Sequence, residues 1–311
     1  MEAIVPHQFD FHFEMFGGVC EYFASRYRLH FFIPMANIAS KKRIFDSWVD
    51  ILMSYCTRRK FIAPIFHTDN IPSLRYELCI IPTDDDRLAY QVYSIVKQHN
   101  PAMRVFCINH TDMGNRNPLP PHLSVRIQGI WTEDFYANMM RYITTDEKMA
   151  MLSTERVRLL VMGDIIRTEK NFLVDLRRRI SNFSDVDIFF LNRQPATEEI
   201  SDPNIFQIVN CTTHTIFDIL KRCHYVYFFS TVRGSNSSTA AFPLAFSTLC
   251  RMVCCERSRK QYHITSPLFY EMNETFSLTL PTRQEITDVE TERERLLQQT
   301  SCLLDKMLNQ I

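Results

Sequence analysis

The chain is poor in glycine and carries no net charge, and each feature excludes a class of protein. Only six glycines occur in 311 residues, and none belongs to a G-x-G-x-x-G, G-x-x-x-x-G-K-[ST] or G-x-S-x-G motif. Their absence argues against dinucleotide-binding enzymes with the standard fingerprint, P-loop NTPases and α/β-hydrolases with a nucleophile elbow. The 35 basic residues balance 35 acidic ones, so we expect no bulk attraction to nucleic acid.

Signals for membranes and metals are also scarce. No apolar run reaches transmembrane length, and the first residues lack the basic and apolar regions of a signal peptide. The ten cysteines form no C-x-x-C pair, and H-E-x-x-H does not occur. We therefore expect a cytoplasmic protein without a transmembrane segment, whose cysteines are small buried side chains in a reducing compartment.

The sequence does contain a regular alternation of strand-like and helix-like segments. Its 46% hydrophobic content and its length suffice for two packed domains. Aromatic or β-branched runs indicate strands, and apolar residues at helical spacing indicate the helices between them. Strands are predicted at 9–13, 29–34, 61–66, 78–81, 104–109, 157–162, 186–191, 205–209, 225–230 and 252–255, and helices at 17–27, 44–55, 86–98, 170–180, 216–221 and 240–249.

This alternation predicts an α/β fold with two Rossmann-like domains facing a central cleft, because alternating elements build parallel sheets covered on both faces. We predict domains at 1–150 and 151–282. The remaining segment, 283–311, has the apolar spacing of an amphipathic helix. Packing against the body of the protein and pairing with a partner helix are both open for it.

One polar loop lies between a predicted strand and a predicted helix of the second domain. It contains a glycine and four hydroxyl side chains, and a strand, small-residue loop and helix start together present backbone N–H groups to an anion. An ordinary βαβ connection is the alternative. The residues concerned are Gly234, Ser235, Ser237, Ser238 and Thr239.

Polar residues also follow two predicted strands of the first domain. His110 follows the strand 104–109 and is close to Asp112, and an imidazole there can bind a substrate hydroxyl or transfer a proton. A structural histidine is the alternative. Asp84 begins a run of three aspartates in which one carboxylate can orient an acceptor hydroxyl. A helix N-cap and a Mg²⁺ or Mn²⁺ site are the other interpretations of that run.

Three segments resemble the GT-B-fold glycosyltransferases, especially the retaining type that uses nucleotide sugars. They are FGGVCEY at 16–22, the pair YELCIIPTDDD at 76–86 and RVFCINHTD at 104–112, and the segment 218–256. The resemblance implies that Gly17 and Gly18 form a loop before the first helix, where the backbone approaches the donor phosphate.

The same resemblance implies a nucleotide-sugar donor held in the second domain and a glycan, lipid or small-molecule acceptor in the first. Gly163, Arg167 and Lys170 stand where the family binds the diphosphate, and no metal or other cofactor is required. The family also places two glutamates seven residues apart near the last binding loop, whereas no Glu occurs between Glu199 and Glu256. The alternative is a non-catalytic GT-B-like protein that binds a nucleotide or a protein partner.

Overall fold

The described part of the computed structural model divides into two units. Unit 1 takes the described residues of 1–140 and 296–310, and unit 2 those of 141–228 and 241–295. The predicted division differs, since it placed the boundary near residue 150 and set the last helix apart. The structure describes residues 1–7, 15–82, 87–109, 128–131, 139–152, 154–162, 172–192, 202–209, 211–228, 241–254, 269–271 and 275–310.

The core of unit 1 is a parallel six-stranded sheet with the order β3-β2-β1-β4-β5-β6. Apart from the half-buried Glu2 at the start of β1, its central strands β1 and β4 are apolar and buried, as expected where helices cover both faces. The strands are β1 (Glu2–Pro6), β2 (Arg28–Phe32), β3 (Ile65–His67), β4 (Leu78–Ile81), β5 (Arg104–Asn109) and β6 (Gln128–Trp131).

The helices of unit 1 alternate with these strands. The longest of them is capped by Lys60, the residue that follows its last helical residue. Lys60 adopts a left-handed conformation with φ of 56° and donates its N–H to the carbonyls of Cys56 and Thr57. That cap satisfies carbonyls that the helix end leaves without intrahelical partners. The helices are α1 (Met15–Phe23), α2 (Met35–Ile38), α3 (Lys42–Arg59) and α4 (Arg87–His99).

Unit 2 repeats the same topology with a second parallel sheet, in the order β12-β11-β10-β7-β8-β9. Its core joins apolar residues of the central strands to those of the covering helix, among them Leu159, Val161, Leu176 and Phe190. The strands are β7 (Val157–Met162), β8 (Val186–Asn192), β9 (Ile205–Val209), β10 (Tyr225–Tyr227), β11 (Arg251–Cys254) and β12 (Phe269–Glu271).

Side-chain caps fix the ends of the unit 2 helices. Thr144 and Glu147 form a reciprocal capping box, and Thr212 accepts a bond from the N–H of Thr215. The last helix begins in unit 2 and ends in unit 1, and its buried residues include Ile286 and Val289 in the first part and Leu296 and Leu304 in the second. The helices are α5 (Thr145–Met151), α6 (Phe172–Arg179), α7 (Thr213–Arg222), α8 (Ala241–Ser247) and α9 (Arg283–Gln310).

The predicted α/β class with two Rossmann-like sheets and a C-terminal helix is confirmed. Most predicted strands and helices match observed ones to within a few residues. The strands β1, β6 and β12 and the helices α2 and α5 were not predicted, and the strand predicted at 9–13 lies outside the described residues.

Candidate functional site

Each sheet contains one point where the strand order reverses direction. In unit 1 the chain builds outward from β1 to β3 and then from β4 to β6, so the reversal lies between β1 and β4. In unit 2 the reversal lies between β7 and β10, at the equivalent place. Ligands of doubly wound sheets bind outside the carboxyl ends of the strands at this switch point, because the connecting loops diverge there. Each unit therefore carries one candidate ligand site.

In unit 2, the two strands beside the switch point precede the segments predicted to bind a donor. Strand β7 ends at Met162 and β10 at Tyr227. Gly163, Arg167 and Lys170 come after the first strand, and the polar loop of 234–239 after the second. All of these predicted residues lie outside the described residues: Gly163, Arg167, Lys170, Gly234, Ser235, Ser237, Ser238 and Thr239.

In unit 1, strand β4 ends at Ile81 and precedes the run that contains Asp84. Strand β5, which pairs with β4, ends at Asn109 and precedes His110 and Asp112. These three candidates also lie outside the described residues. The roles of Asp84, His110 and Asp112 therefore remain predictions, whereas the strands β4 and β5 that precede them are observed.

His7 is a further residue at the unit 1 switch point, and the sequence analysis missed it. It follows β1 directly and is completely buried. Its backbone N–H donates to the carbonyl of Phe32 at 2.9 Å, and its ring meets Phe16 of α1 edge-on with centroids 5.2 Å apart. The imidazole thus stands between the central strand and the first helix. The apolar run before it was the available signal, since it marks β1.

Gly17 and Gly18 do not form a loop before the first helix. They lie inside α1, which already includes Met15, and both are buried. A Cβ on Gly17 would stand 2.8 Å from Sδ of the buried Met140, which is too close for a carbon and a sulfur atom. The absence of a side chain at this position is therefore explained by helix packing. The prediction of a phosphate-binding role was based on the loop geometry, which the structure does not have.

Buried polar groups also lie along α1. The hydroxyl of Tyr55 on α3 donates to the carboxylate of Glu21, and both side chains are buried. Cys20 and Cys56 lie beside them, and burial raises the pKa of the Cys20 thiol well above its usual value. This thiol is therefore protonated and unreactive near neutral pH. The described residues contain no group of three or more side chains that could hold a metal ion.

A buried ammonium group in unit 2 holds the connection from α7 to the amino end of strand β10. Lys148 on α5 is completely buried and donates to the carbonyls of Leu220 at 2.8 Å and Cys223 at 2.6 Å. Those carbonyls stand at the carboxyl end of α7, where a positive charge is favoured by the helix dipole. Because β10 starts two residues after Cys223, this contact fixes the start of a switch-point strand.

Comparison with known proteins gives matches at the level of structure alone. No family model and no curated sequence matches the chain. Solved structures that match include the E. coli heptosyltransferase WaaC with ADP, with 9% identity, a TM-score of 0.48 and coverage of 94% of this chain and 100% of that one. The glycosyltransferase SnogD from Streptomyces nogalater matches with 10% identity, a TM-score of 0.44 and coverage of 99% of both chains.

The matches are not confined to transferases. A putative UDP-N-acetylglucosamine 2-epimerase from Listeria monocytogenes has 8% identity and a TM-score of 0.48, covering 96% of this chain and 90% of that one. None of the helices among the described residues is both long enough and apolar enough to span a membrane.

Proposed function

We propose that this protein is a glycosyltransferase that moves a sugar from a nucleotide-sugar donor to an acceptor hydroxyl. The observation that carries the proposal is the duplicated strand order, with one switch point in each of two Rossmann-type units. One such site suits a nucleotide, and a second suits another substrate. A reaction that transfers a group from one substrate to another needs both sites.

In this proposal the donor binds to unit 2. The hydroxyl and N–H groups of 234–239, with Gly163, hold the diphosphate after strands β10 and β7. Arg167 and Lys170 neutralise the charge that develops on the leaving diphosphate, so no metal or other cofactor is required. The acceptor, a glycan, a lipid or a small molecule, binds to unit 1.

The chemistry in unit 1 requires a group that receives a proton. The acceptor oxygen attacks the anomeric carbon, the bond from that carbon to the diphosphate oxygen breaks, and the acceptor proton passes to a base. His110, Asp112 and Asp84 are the candidates from the sequence. His7 joins them because it is buried at the carboxyl end of the central strand. Positioned acid or base groups contribute about 10²- to 10⁴-fold to such reactions.

A thermal-shift panel of UDP-, GDP-, ADP- and CMP-sugars, with and without Mg²⁺ or Mn²⁺, tests donor binding. A ligand that binds only the folded protein raises its melting temperature, so a shift with one nucleotide class identifies the donor. We expect the Ser237→Ala/Ser238→Ala double variant to lose that shift. The matched control is Ser54→Ala/Ser94→Ala, which changes two exposed serines of unit 1 and leaves the shift intact.

A transfer assay with the identified donor then tests catalysis. We expect His7→Asn to lower the turnover by about 100-fold or more while the donor-induced shift is retained. No shift with any nucleotide sugar would contradict the proposal. Donor binding without release of the nucleotide, over a broad acceptor panel, would instead favour a non-catalytic nucleotide-binding protein. The lack of any glutamate between Glu199 and Glu256 is the feature that favours this second function.

A further inference from the structure

A chain of three titratable side chains crosses the edge of the unit 1 sheet, away from its switch point. His30 on β2 is buried, and its Nε2 lies 2.8 Å from the Glu2 carboxylate on β1. Its other ring nitrogen, Nδ1, lies 2.9 Å from Nε2 of His67 on β3. The three neighbouring strands β1, β2 and β3 are thus connected by side chains as well as by the backbone ladder.

The two imidazoles make a direct hydrogen bond and are not stacked. Their planes differ by 1°, and their centroids are 5.2 Å apart although the nearest nitrogens are only 2.9 Å apart. Two coplanar rings reach that centroid separation only when His30 Nδ1 and His67 Nε2 point straight at each other. This is the geometry of a linear N–H···N bond.

The proton positions follow from the valences of the groups. The Glu2 carboxylate only accepts, so His30 donates from Nε2; when His30 is neutral, its Nδ1 accepts the Nε2 proton of His67. One added proton leaves the chain intact, since a single imidazolium still donates to a neutral ring. A second added proton places N–H groups on both facing nitrogens, and the hydrogen bond between the rings is lost.

Among the described residues, one further charged side chain lies close to the Glu2 carboxylate. Arg28 Nη1 lies 3.7 Å from Glu2 Oε1, and the exposed Asp69 follows His67 by two residues. The ring of Tyr76 packs edge-on against His30 at 5.5 Å, and burial, with the charge of Glu2, raises the pKa of Tyr76 to about 12. The adjoining core contains Tyr90 and Tyr93 of α4, Cys79 of β4 and Cys107 of β5. These side chains are uncharged near neutral pH.

Strand β3 is a short edge strand. It has three residues, and among the described strands it pairs only with β2. Phe66 stacks on Phe31 on the opposite face, with centroids 5.1 Å apart. Phe66 also meets Phe45 of α3 edge-on, with centroids 5.9 Å apart. The next backbone bonds, from Ile33 N–H to the His67 carbonyl and from Met35 N–H to the Thr68 carbonyl, continue the pairing into the start of α2.

We propose that the Glu2–His30–His67 chain is a one-proton latch, which holds edge strand β3 and the start of α2 in place at neutral pH and releases them on acidification. The closed latch holds at most one added proton, whereas opening exposes the His67 ring to protonation. Burial, and then the neighbouring His30, lower the pKa of His67, so the closed form resists protonation. The population of the open form therefore rises as the pH falls below the ordinary histidine value of about 6.5.

Hydrogen exchange measured by mass spectrometry tests the latch. After correction for the intrinsic pH dependence of exchange, we expect the opening equilibrium constant of peptides covering 65–69 to rise as the pH falls from 7 to 5.5. The rise is at most about tenfold per pH unit, because opening takes up one proton. The Gln amide in His67→Gln donates to a neutral His30 or, when rotated, accepts from a protonated one, and it does not itself titrate, so opening in this variant is expected to depend less on pH than in the unaltered protein. His99→Gln, at an exposed position on α4, is the control and retains the dependence.

Two outcomes would overturn the latch. One is a corrected exchange rate at 65–69 that is flat with pH in the unaltered protein. The other is an unchanged pH dependence in His67→Gln. If that variant proves unfolded by circular dichroism, an NMR titration of the unaltered protein decides the matter. The latch requires the ring resonances of His67 to titrate together with the amide of Phe66, and titration of His67 without change at Phe66 overturns it.

Discussion

The two units share a strand order but stabilise their polar interiors in different ways. Unit 1 holds the Glu2–His30–His67 chain, in which the His30 ring is buried and the other two side chains are half-buried. Unit 2 buries basic side chains, as Lys148 donates to backbone carbonyls and Arg251 pairs with Glu285 at 2.7 Å, and it also buries the imidazole of His224, whose Nδ1 accepts from the N–H of Arg158. The same fold therefore tolerates both kinds of polar contact.

Removal of the buried ammonium of unit 2 is expected to have the largest effect. Lys148→Met leaves the carbonyls of Leu220 and Cys223 buried without their charged donor, which costs about 3 kcal/mol of unfolding free energy. Lys42→Met is the control, since that ammonium pairs with Asp46 at an exposed site and contributes at most about 0.5 kcal/mol.

Urea unfolding followed by two probes assigns this effect to a unit. Both tryptophans, Trp48 and Trp131, belong to unit 1, whereas far-ultraviolet circular dichroism reports on both units. We expect Lys148→Met to shift the dichroism transition. A loss below about 1 kcal/mol would show that the carbonyls find other donors, and the contrast between the units would fail.

A smaller effect is expected where α1 packs within unit 1. Gly17→Ala places a methyl group against the Met140 thioether, and overpacking of about 2 kcal/mol outweighs the gain in helix propensity of about 1 kcal/mol. In a Met140→Ala background the same substitution is expected to stabilise the protein. Tryptophan-detected unfolding of the two single variants and the double variant measures this coupling. Additive effects would mean that Met140 does not explain the glycine.

The smallest expected effect is the loss of unit 1 stability at acidic pH. The pKa of His67 is lowered by burial and by His30, so the unfolded chain binds more protons than the folded one below about pH 6.5. The stability of unit 1 is therefore complete above that pH and declines as the pH falls. The tryptophan-detected midpoint is expected to fall between pH 7.5 and pH 5.5, and to fall less in His67→Gln. Equal declines in both proteins would remove His67 as the cause.

The sequence predicted the class of fold because parallel strands buried on both faces are continuous apolar runs. The runs at 78–81, 104–109, 157–162 and 205–209 agree with the observed strands residue for residue. The short strands β1, β6 and β12 were missed, although the equally short run at 78–81, which Pro82 follows, was predicted. His7 was missed with β1, since its place at a strand end was not visible.

Gly17 shows the corresponding limit for the candidate site. A Gly-Gly pair before a helical segment is typical of a phosphate-binding turn, and nothing in the local sequence distinguishes that from a packing contact. The distinction comes from Met140, more than one hundred residues away in the chain. The remaining candidates lie outside the described residues, and their roles stay predictions.

The sequence by itself determined which segments are strands and helices, and that they alternate in two sets. Those properties follow from local periodicity and burial, which neighbouring residues encode. Only the tertiary structure decided the strand order, the two switch points and the contact between His30 and His67, which are 37 residues apart. The physical reason is that these depend on which strands pair, and pairing between distant segments is fixed by packing of the whole sheet.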